Sequence, residues 1–325
     1  MLLRRLIVSI VIALLPAVSF AKTEAKNGVR IERDIPYITD GDPSQSLDIY
    51  LPEKASEKPL PLLVWIHGGG WLGGSKSENP GASLTARGLY ASASVEYRFS
   101  NKAIFPAQIQ DCQAAIRFLR ANAKKYNIDG DHIGIWGASA GGHLVALLGT
   151  AGGANAFPKI GDNRDESDRV QAVIDLFGPA DFAAVKKQVA ADKSVNNIFN
   201  FEDMSSPYAK LFGAIPGEKV DLEKSASPVT YVSKDDPPFL IVHGTVDALV
   251  PYAQSTELAD DLKRAGVDVL LQTIPGANHG GPQFSTPAMN ELYKNFFDKH
   301  LKGADVKVKV LPASEFTPAQ PAPVK

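Results

Sequence analysis

The sequence predicts an α/β fold: a mostly parallel eight-stranded sheet with helices on both faces and a helical insertion after the sixth strand. Three observations carry that reading. Short continuous apolar runs such as "PLLVWIHGG" and "PPFLIVHG" look like strands buried on both faces. Helical periodicity separates most of them, as in "PAQIQDCQAAIRFLRANAKKY". At 325 residues with 44% hydrophobic content, the chain has enough apolar surface for a sizeable core.

Taken in order, "VRIERDIPYI" and "SLDIYLP" open the sheet as a pair of strands, "PLLVWIHGG" runs into a glycine cluster, and "LYASASVEYR" follows. In the next helix, begun by Pro106, Ile109, Cys112, Ile116 and Leu119 recur at three or four residues and share one face. "HIGIWG", "VQAVIDLFG", "PPFLIVHG" and "VDVLLQTIPG" complete the eight strands. Such alternation is the pattern of a parallel sheet covered on both sides. Residues 179–236 break the rhythm, being helical and polar with scattered aromatics (Phe199, Phe201, Tyr208, Phe212), and are expected as a cap-like insertion over one edge of the sheet. The main domain is expected over residues 22–311, and the proline-rich residues 312–325 as a disordered tail.

Residues 1–21 read as a signal peptide. Two arginines precede the apolar run "LIVSIVIALL", and Ser19 and Ala21 supply the small residues a signal peptidase needs. The run is shorter than the ~20 residues that span a bilayer, so export to the periplasm or beyond is expected without stable membrane insertion. The one cysteine, Cys112, excludes an intramolecular disulfide, so the exported domain must rest on its core. A net charge of −2 gives no basic surplus to attract nucleic acid or an anionic membrane surface.

Gly137-Ala138-Ser139-Ala140-Gly141 matches G-x-S-x-G. Chance alone gives roughly 0.1 such match in a chain of this length, so context decides. "HIGIW" supplies a strand before the serine and "GGHLVALLG" a helix after it, the setting of a nucleophile elbow rather than of a simple helix cap. A serine hydroxyl needs a base, and the base needs an orienting carboxylate. In an α/β-hydrolase these follow in the order acid, then histidine, in loops after later strands. "FLIVHGTVDALVP" offers Asp247, and "VLLQTIPGANHG" offers His279. Of the other histidines, His67 lies in the glycine cluster, His132 before a strand, His143 in the helix after the serine, His243 at a strand end and His300 near the last helix end; none follows the acid in the required loop. Asp235 and Asp236 precede their strand and would sit at the wrong end of the sheet. "HGGGW" supplies backbone that can approach a developing oxyanion, so Gly69, Gly70 and the N–H of Ala140 are assigned to the oxyanion hole.

Together "HGGGW", "EYRFS", "FPAQIQDCQAAIRFLRANA", "IWGASAGGHLVALLG" and "HGTVDALVP" resemble the hormone-sensitive-lipase-like branch of α/β-hydrolases, nearest to the bacterial bifunctional feruloyl and acetyl esterase (BD-FAE) type. The resemblance implies hydrolysis of carboxylic esters, often acetyl or feruloyl groups on plant polysaccharide, through an acyl-serine intermediate with no cofactor and no metal. Two other readings compete. One is hydrolysis of another acyl bond, by a formamidase, lactonase or peptidase; the other is a non-catalytic binding protein that keeps the fold.

Overall fold

A computed structural model describes residues 22–192 and 198–316. The expected signal peptide lies outside them. The described residues form one nine-stranded sheet: β1 (Lys22–Lys26), β2 (Val29–Pro36), β3 (Ser46–Pro52), β4 (Leu60–Ile66), β5 (Ala91–Val95), β6 (Ile128–Ala138), β7 (Ala172–Leu176), β8 (Phe239–Gly244) and β9 (Val269–Ile274), in the order β1-β2-β3-β5-β4-β6-β7-β8-β9. The first three are antiparallel to their neighbours, and the strands from β5 to β9 run parallel.

The ninth strand corrects the expectation of eight, and it moves the insertion to after the seventh strand. "KTEAK" shows no apolar alternation, so nothing in its own residues marks β1. It is folded back by Asn27 and Gly28, both at positive φ (52° and 79°), the two-residue turn that suits the twist of a hairpin.

Along β4 the side chains alternate between two cores. Leu62, Val64 and Ile66 face one layer with Ile109, Ile116, Leu144, Leu147 and Leu258; Leu63 and Trp65 face the other with Met289, Phe296 and Phe297. The helices therefore divide between the faces. The short α1 (Ala82–Ala86) packs on β3 and β5, with Leu84 on the second core. On the first face lie α2 (Ala107–Ala121), α3 (Ala123–Tyr126), α4 (Ala140–Ala151) and α8 (Tyr252–Ala265), and on the second α9 (Pro287–Lys302). The predicted stripe Ile109, Cys112, Ile116 and Leu119 is buried. Among the described residues no helix is long and apolar enough to cross a membrane.

The segment 179–236 carries α5 (Phe182–Ala191), α6 (Pro207–Phe212), α7 (Val220–Ala226) and a 3-10 turn at Pro228–Tyr231. It does not sit over one edge. It crosses the C-terminal ends of the strands: Gly70 after β4 meets Pro207, Phe105 donates its N–H to Leu211, and Ala180 donates to Gln254 of α8. Its aromatic residues explain the placement, because Phe182, Tyr208 and Phe212 are buried against the body and need its apolar surface. The expectation of a disordered tail from residue 312 is corrected at its start. Ala313–Phe316 form a 3-10 turn whose Phe316 is buried in the second core, and residues 317–325 lie outside the described part.

Candidate active site

Ser139 is the one residue between the end of β6 and the start of α4. Its backbone sits at φ 57°, ψ −120°, a conformation costly for a residue with a Cβ. As first residue before a helix it is placed to cap, yet its side chain makes no capping bond. The hydroxyl turns instead to His279, with Oγ 2.7 Å from Nε2. The glycines beside it are dictated by space. A Cβ on Gly141 would stand 2.1 Å from the Ile66 carbonyl, one on Gly137 2.5 Å from the Gly141 carbonyl, and one on Gly142 2.5 Å from Asp175.

Asp247 lies in the loop after β8 and is almost wholly buried. Its Oδ1 accepts the N–H groups of Leu249 (2.8 Å) and Val250 (2.9 Å), and its Oδ2 meets Nδ1 of His279 at 2.7 Å. A second imidazole reaches the same oxygen: His243 Nε2 is 3.1 Å away, while Nδ1 of that ring meets Ser255 Oγ at 2.6 Å. Burial alone would push the Asp247 carboxyl up, but the hydrogen bonds from His243 and His279 outweigh it and hold the group well below the usual carboxylate range. The ionised Asp247 can only accept, so His279 carries its hydrogen on Nδ1 and presents the lone pair of Nε2 to Ser139. Phe177, itself at φ 48°, packs its ring 4.6 Å from that of His279 and limits its swing.

The glycine loop after β4 is fixed through its carbonyls. Gly68 O lies 2.8 Å from His67 Nδ1, and Gly69 O accepts from Leu72 N (3.0 Å) and Gly73 N (3.2 Å). In a planar trans peptide the N–H points opposite to the C=O, so the amides of Gly69 and Gly70 turn away from these partners. They line a cavity of about 360 Å³ together with Ser139, Ala140 and His279. The N–H of Ala140 opens α4 on the same side, where a helix N-terminus leaves donors unpaired. The far wall is apolar, built by Trp71, Pro179, Phe199, Pro207, Tyr208, Leu249 and Val250. Of the four aromatics noted in the insertion, Phe199 and Tyr208 reach the cavity. Phe201 backs Tyr208, and Phe212 packs on Phe105 and Phe182 instead.

All six residues selected from the sequence are thus brought to one place. Sequence reasoning missed His243, dismissed as a strand-end residue, and His143, which receives the Trp71 indole. The sequence signal for His243 was its place four residues before Asp247 at the mouth of the same strand.

The family model BD-FAE matches residues 47–262. The chain belongs to the BD-FAE family of α/β-hydrolases. Esterase LipC of Mycobacterium tuberculosis (strain ATCC 25618 / H37Rv) is 32% identical over 250 residues, which cover 74% of this chain and 57% of LipC. The chain therefore spans just over half the length of that curated relative. Among solved structures, a truncated carbohydrate esterase from gut microbiota is 34% identical with a TM-score of 0.76, covering 86% of this chain and all of the other. A bifunctional GH43-CE from Bacteroides eggerthii is 32% identical with a TM-score of 0.74, covering 86% of this chain and 36% of its own. This BD-FAE chain thus shares its fold with esterases, and its G-x-S-x-G elbow lies inside the matched residues.

Proposed function

We propose that this BD-FAE chain is a serine carboxylesterase that hydrolyses short-chain or carbohydrate-linked esters, of acetyl or feruloyl type, through an acyl-serine intermediate. The observation that carries the reading is the continuous hydrogen-bonded line Asp247–His279–Ser139, 2.7 Å at each step, opening on an apolar cavity. Ser139 Oγ attacks the ester carbonyl as its proton passes to His279 Nε2. The carbonyl oxygen becomes an alkoxide facing the N–H groups of Gly69, Gly70 and Ala140, each such donor being worth about 3 kcal/mol. Collapse expels the alcohol, which takes the proton from His279. Water, deprotonated by the same imidazole, then releases the acid and restores the serine.

The small apolar cavity supports a short acyl group or a single ring over a long lipid chain. The likeness to a carbohydrate esterase and to a bifunctional GH43-CE supports a sugar hydroxyl as the leaving group. The leader-like residues 1–21 support export with removal of that segment, which the N-terminal mass of protein recovered outside the cytoplasm tests. For the activity, a hydrolysis panel from short p-nitrophenyl esters through acetylated xylan, methyl ferulate and N-formylkynurenine decides. The account expects turnover of acetyl esters and loss of rate beyond about octanoyl, since added methylenes help only where a groove buries them. Turnover of the formamide alone would move the enzyme to another reaction class. Inertness toward every substrate would make it a binding protein.

A further inference from the structure

We infer that Tyr208 is a specificity-determining residue: its buried hydroxyl donates to an oxygen carried by the acyl group, selecting oxygen-bearing acyl groups over hydrocarbon ones of the same size. The inference deepens the esterase reading and rests on it for the ligand's being an ester.

The observation behind it is an unpaired donor. Tyr208 is 2% exposed, and its hydroxyl has no hydrogen-bond partner within the chain. The hydroxyls of Tyr37, Tyr90, Tyr97 and Tyr293, also buried, each donate to a protein oxygen. Tyr50 lacks such a bond too, but it stands beside the guanidinium of Arg33. A buried hydroxyl without a partner costs stability that a phenylalanine would not. Phenylalanine is what the insertion uses around this site. Phe182 and Phe199 pack on Tyr208 at 5.8 Å and Phe201 at 5.1 Å, with Trp71 of the glycine loop at 5.8 Å. These rings offer at most a weak π acceptor. Packing therefore accounts for the ring of Tyr208 and leaves its oxygen unexplained.

The fold brings this residue to the nucleophile. Tyr208 follows Pro207 at the start of α6, where Ser206 caps the helix by accepting the Ala209 N–H at 3.2 Å. Pro207 lies against the oxyanion loop, since a Cβ on Gly70 would stand 3.2 Å from it. Tyr208 thereby becomes part of the wall of the cavity that holds Ser139 and His279. The insertion's other residues on that wall are Pro179, Phe199 and Pro207, so among the described residues the phenol is the one side-chain donor the insertion brings there. Burial pushes the phenol well up, and the negative charge of Asp247 acts in the same direction. The group keeps its hydrogen and stays a donor.

Burial also decides which part of the ester it meets. In an ester linked to a carbohydrate the sugar continues outward, whereas the acyl group ends. A donor shielded from water meets the enclosed end, which is the acyl group. With no water shell to give up, the phenol gains more from an acyl oxygen than an exposed hydroxyl would. A hydrocarbon acyl group leaves it unpaired.

The test uses the full chain and esters matched in size. p-Nitrophenyl methoxyacetate and 3-methoxypropanoate carry an ether oxygen where the butyrate and pentanoate carry a methylene. For at least one pair, the ratio of kcat/KM, ether over hydrocarbon, should fall about tenfold in Tyr208→Phe; the intrinsic reactivity of each ester cancels between the two proteins. Tyr208→Phe should unfold at the same denaturant concentration as the wild type or a higher one, because an unpaired hydroxyl has been removed. Binding is read without turnover in Ser139→Ala, by ligand-observed NMR with ethyl esters of the same four acids. The Kd ratio within a pair should favour the ether about tenfold more in Ser139→Ala than in the double variant that adds Tyr208→Phe. Ratios unmoved for both pairs would overturn the inference. So would a lower unfolding midpoint in Tyr208→Phe, which would give the hydroxyl a structural partner. Absence of turnover of all four p-nitrophenyl esters by the wild type would sink the esterase reading, while the NMR ratio would still decide the role of Tyr208.

Discussion

Trp71 donates its indole N–H to Nδ1 of His143 across 3.1 Å, and the same imidazole donates from Nε2 to the carbonyl of Ala226 at 2.8 Å. One neutral ring thus joins the residue after the oxyanion glycines, the helix that follows the nucleophile, and the insertion that roofs the cavity. Trp71 is held at φ 57°, where a bulky residue is strained and needs such a clamp. Trp71→Phe keeps the apolar body but removes the donor. It should cost about 1–3 kcal/mol of stability, as Nδ1 is left buried and unpaired, and should lower kcat more than it raises KM. Denaturant titration and steady-state kinetics check both. A variant as stable and as active as the wild type would show that the clamp has no role.

Asp247 is ionised across the working range, because the donors on it outweigh its burial. Asp247 should therefore add no proton of its own to the acid limb of kcat. Asp247→Asn should lower kcat by about 10³–10⁴, since an amide no longer fixes the tautomer that leaves Nε2 free. An acid limb of two protons in the wild type would contradict this assignment.

Gly141 at the elbow and Gly73 beyond the oxyanion glycines differ in what surrounds them. Gly141→Ala puts a Cβ 2.1 Å from a backbone carbonyl and should cost at least about 3 kcal/mol, with loss of activity. At Gly73 nothing lies within 4 Å, so Gly73→Ala should stay within about 0.5 kcal/mol of wild type. Melting curves of the two variants give the comparison directly.

Two buried groups make stability depend on pH in opposite directions. Burial pushes Asp175 up from 3.8 to about 7, only partly offset by the Gly178 N–H, and its Oδ2 has no partner. The folded chain holds this proton more tightly than the unfolded one, so stability is full below 3.8 and is lost as pH rises through about 7. The loss is on the order of 4 kcal/mol. Burial pulls His143 down from 6.5 to about 4, with the Ala226 carbonyl opposing, so its contribution is present above 6.5 and is lost as pH falls toward 4. Asp175→Asn should flatten the decline that this group imposes between about pH 4 and 7, and leave the range above it unchanged. Denaturant midpoints from pH 4 to 9 measure this, and an unaltered decline between pH 4 and 7 in Asp175→Asn would exclude Asp175 as its source.

Much of this could be read from the chain. Strands buried on both faces are continuous apolar runs, and Ser139, Asp247 and His279 each follow one, so their order could be placed without contacts. β1 could not, because "KTEAK" has no buried face; the Asn27-Gly28 turn was the available signal. Partners joined across distant loops were equally hidden: His67 and Glu96 lie 29 residues apart, and Trp71 and His143 72. The insertion's position across the strand ends depends on where Tyr208 and Phe212 find apolar surface, and no sequence period encodes that.

The central claim is that Ser139 is the nucleophile, and covalent labelling tests it most directly. Protein treated with a fluorophosphonate should gain one adduct, located by peptide mass on Ser139. Ser139→Ala should fold within about 0.5 kcal/mol of wild type, because the side chain caps nothing, and should take no label. An adduct on any other residue, or Ser139→Ala hydrolysing p-nitrophenyl acetate at the wild-type rate, would contradict the account.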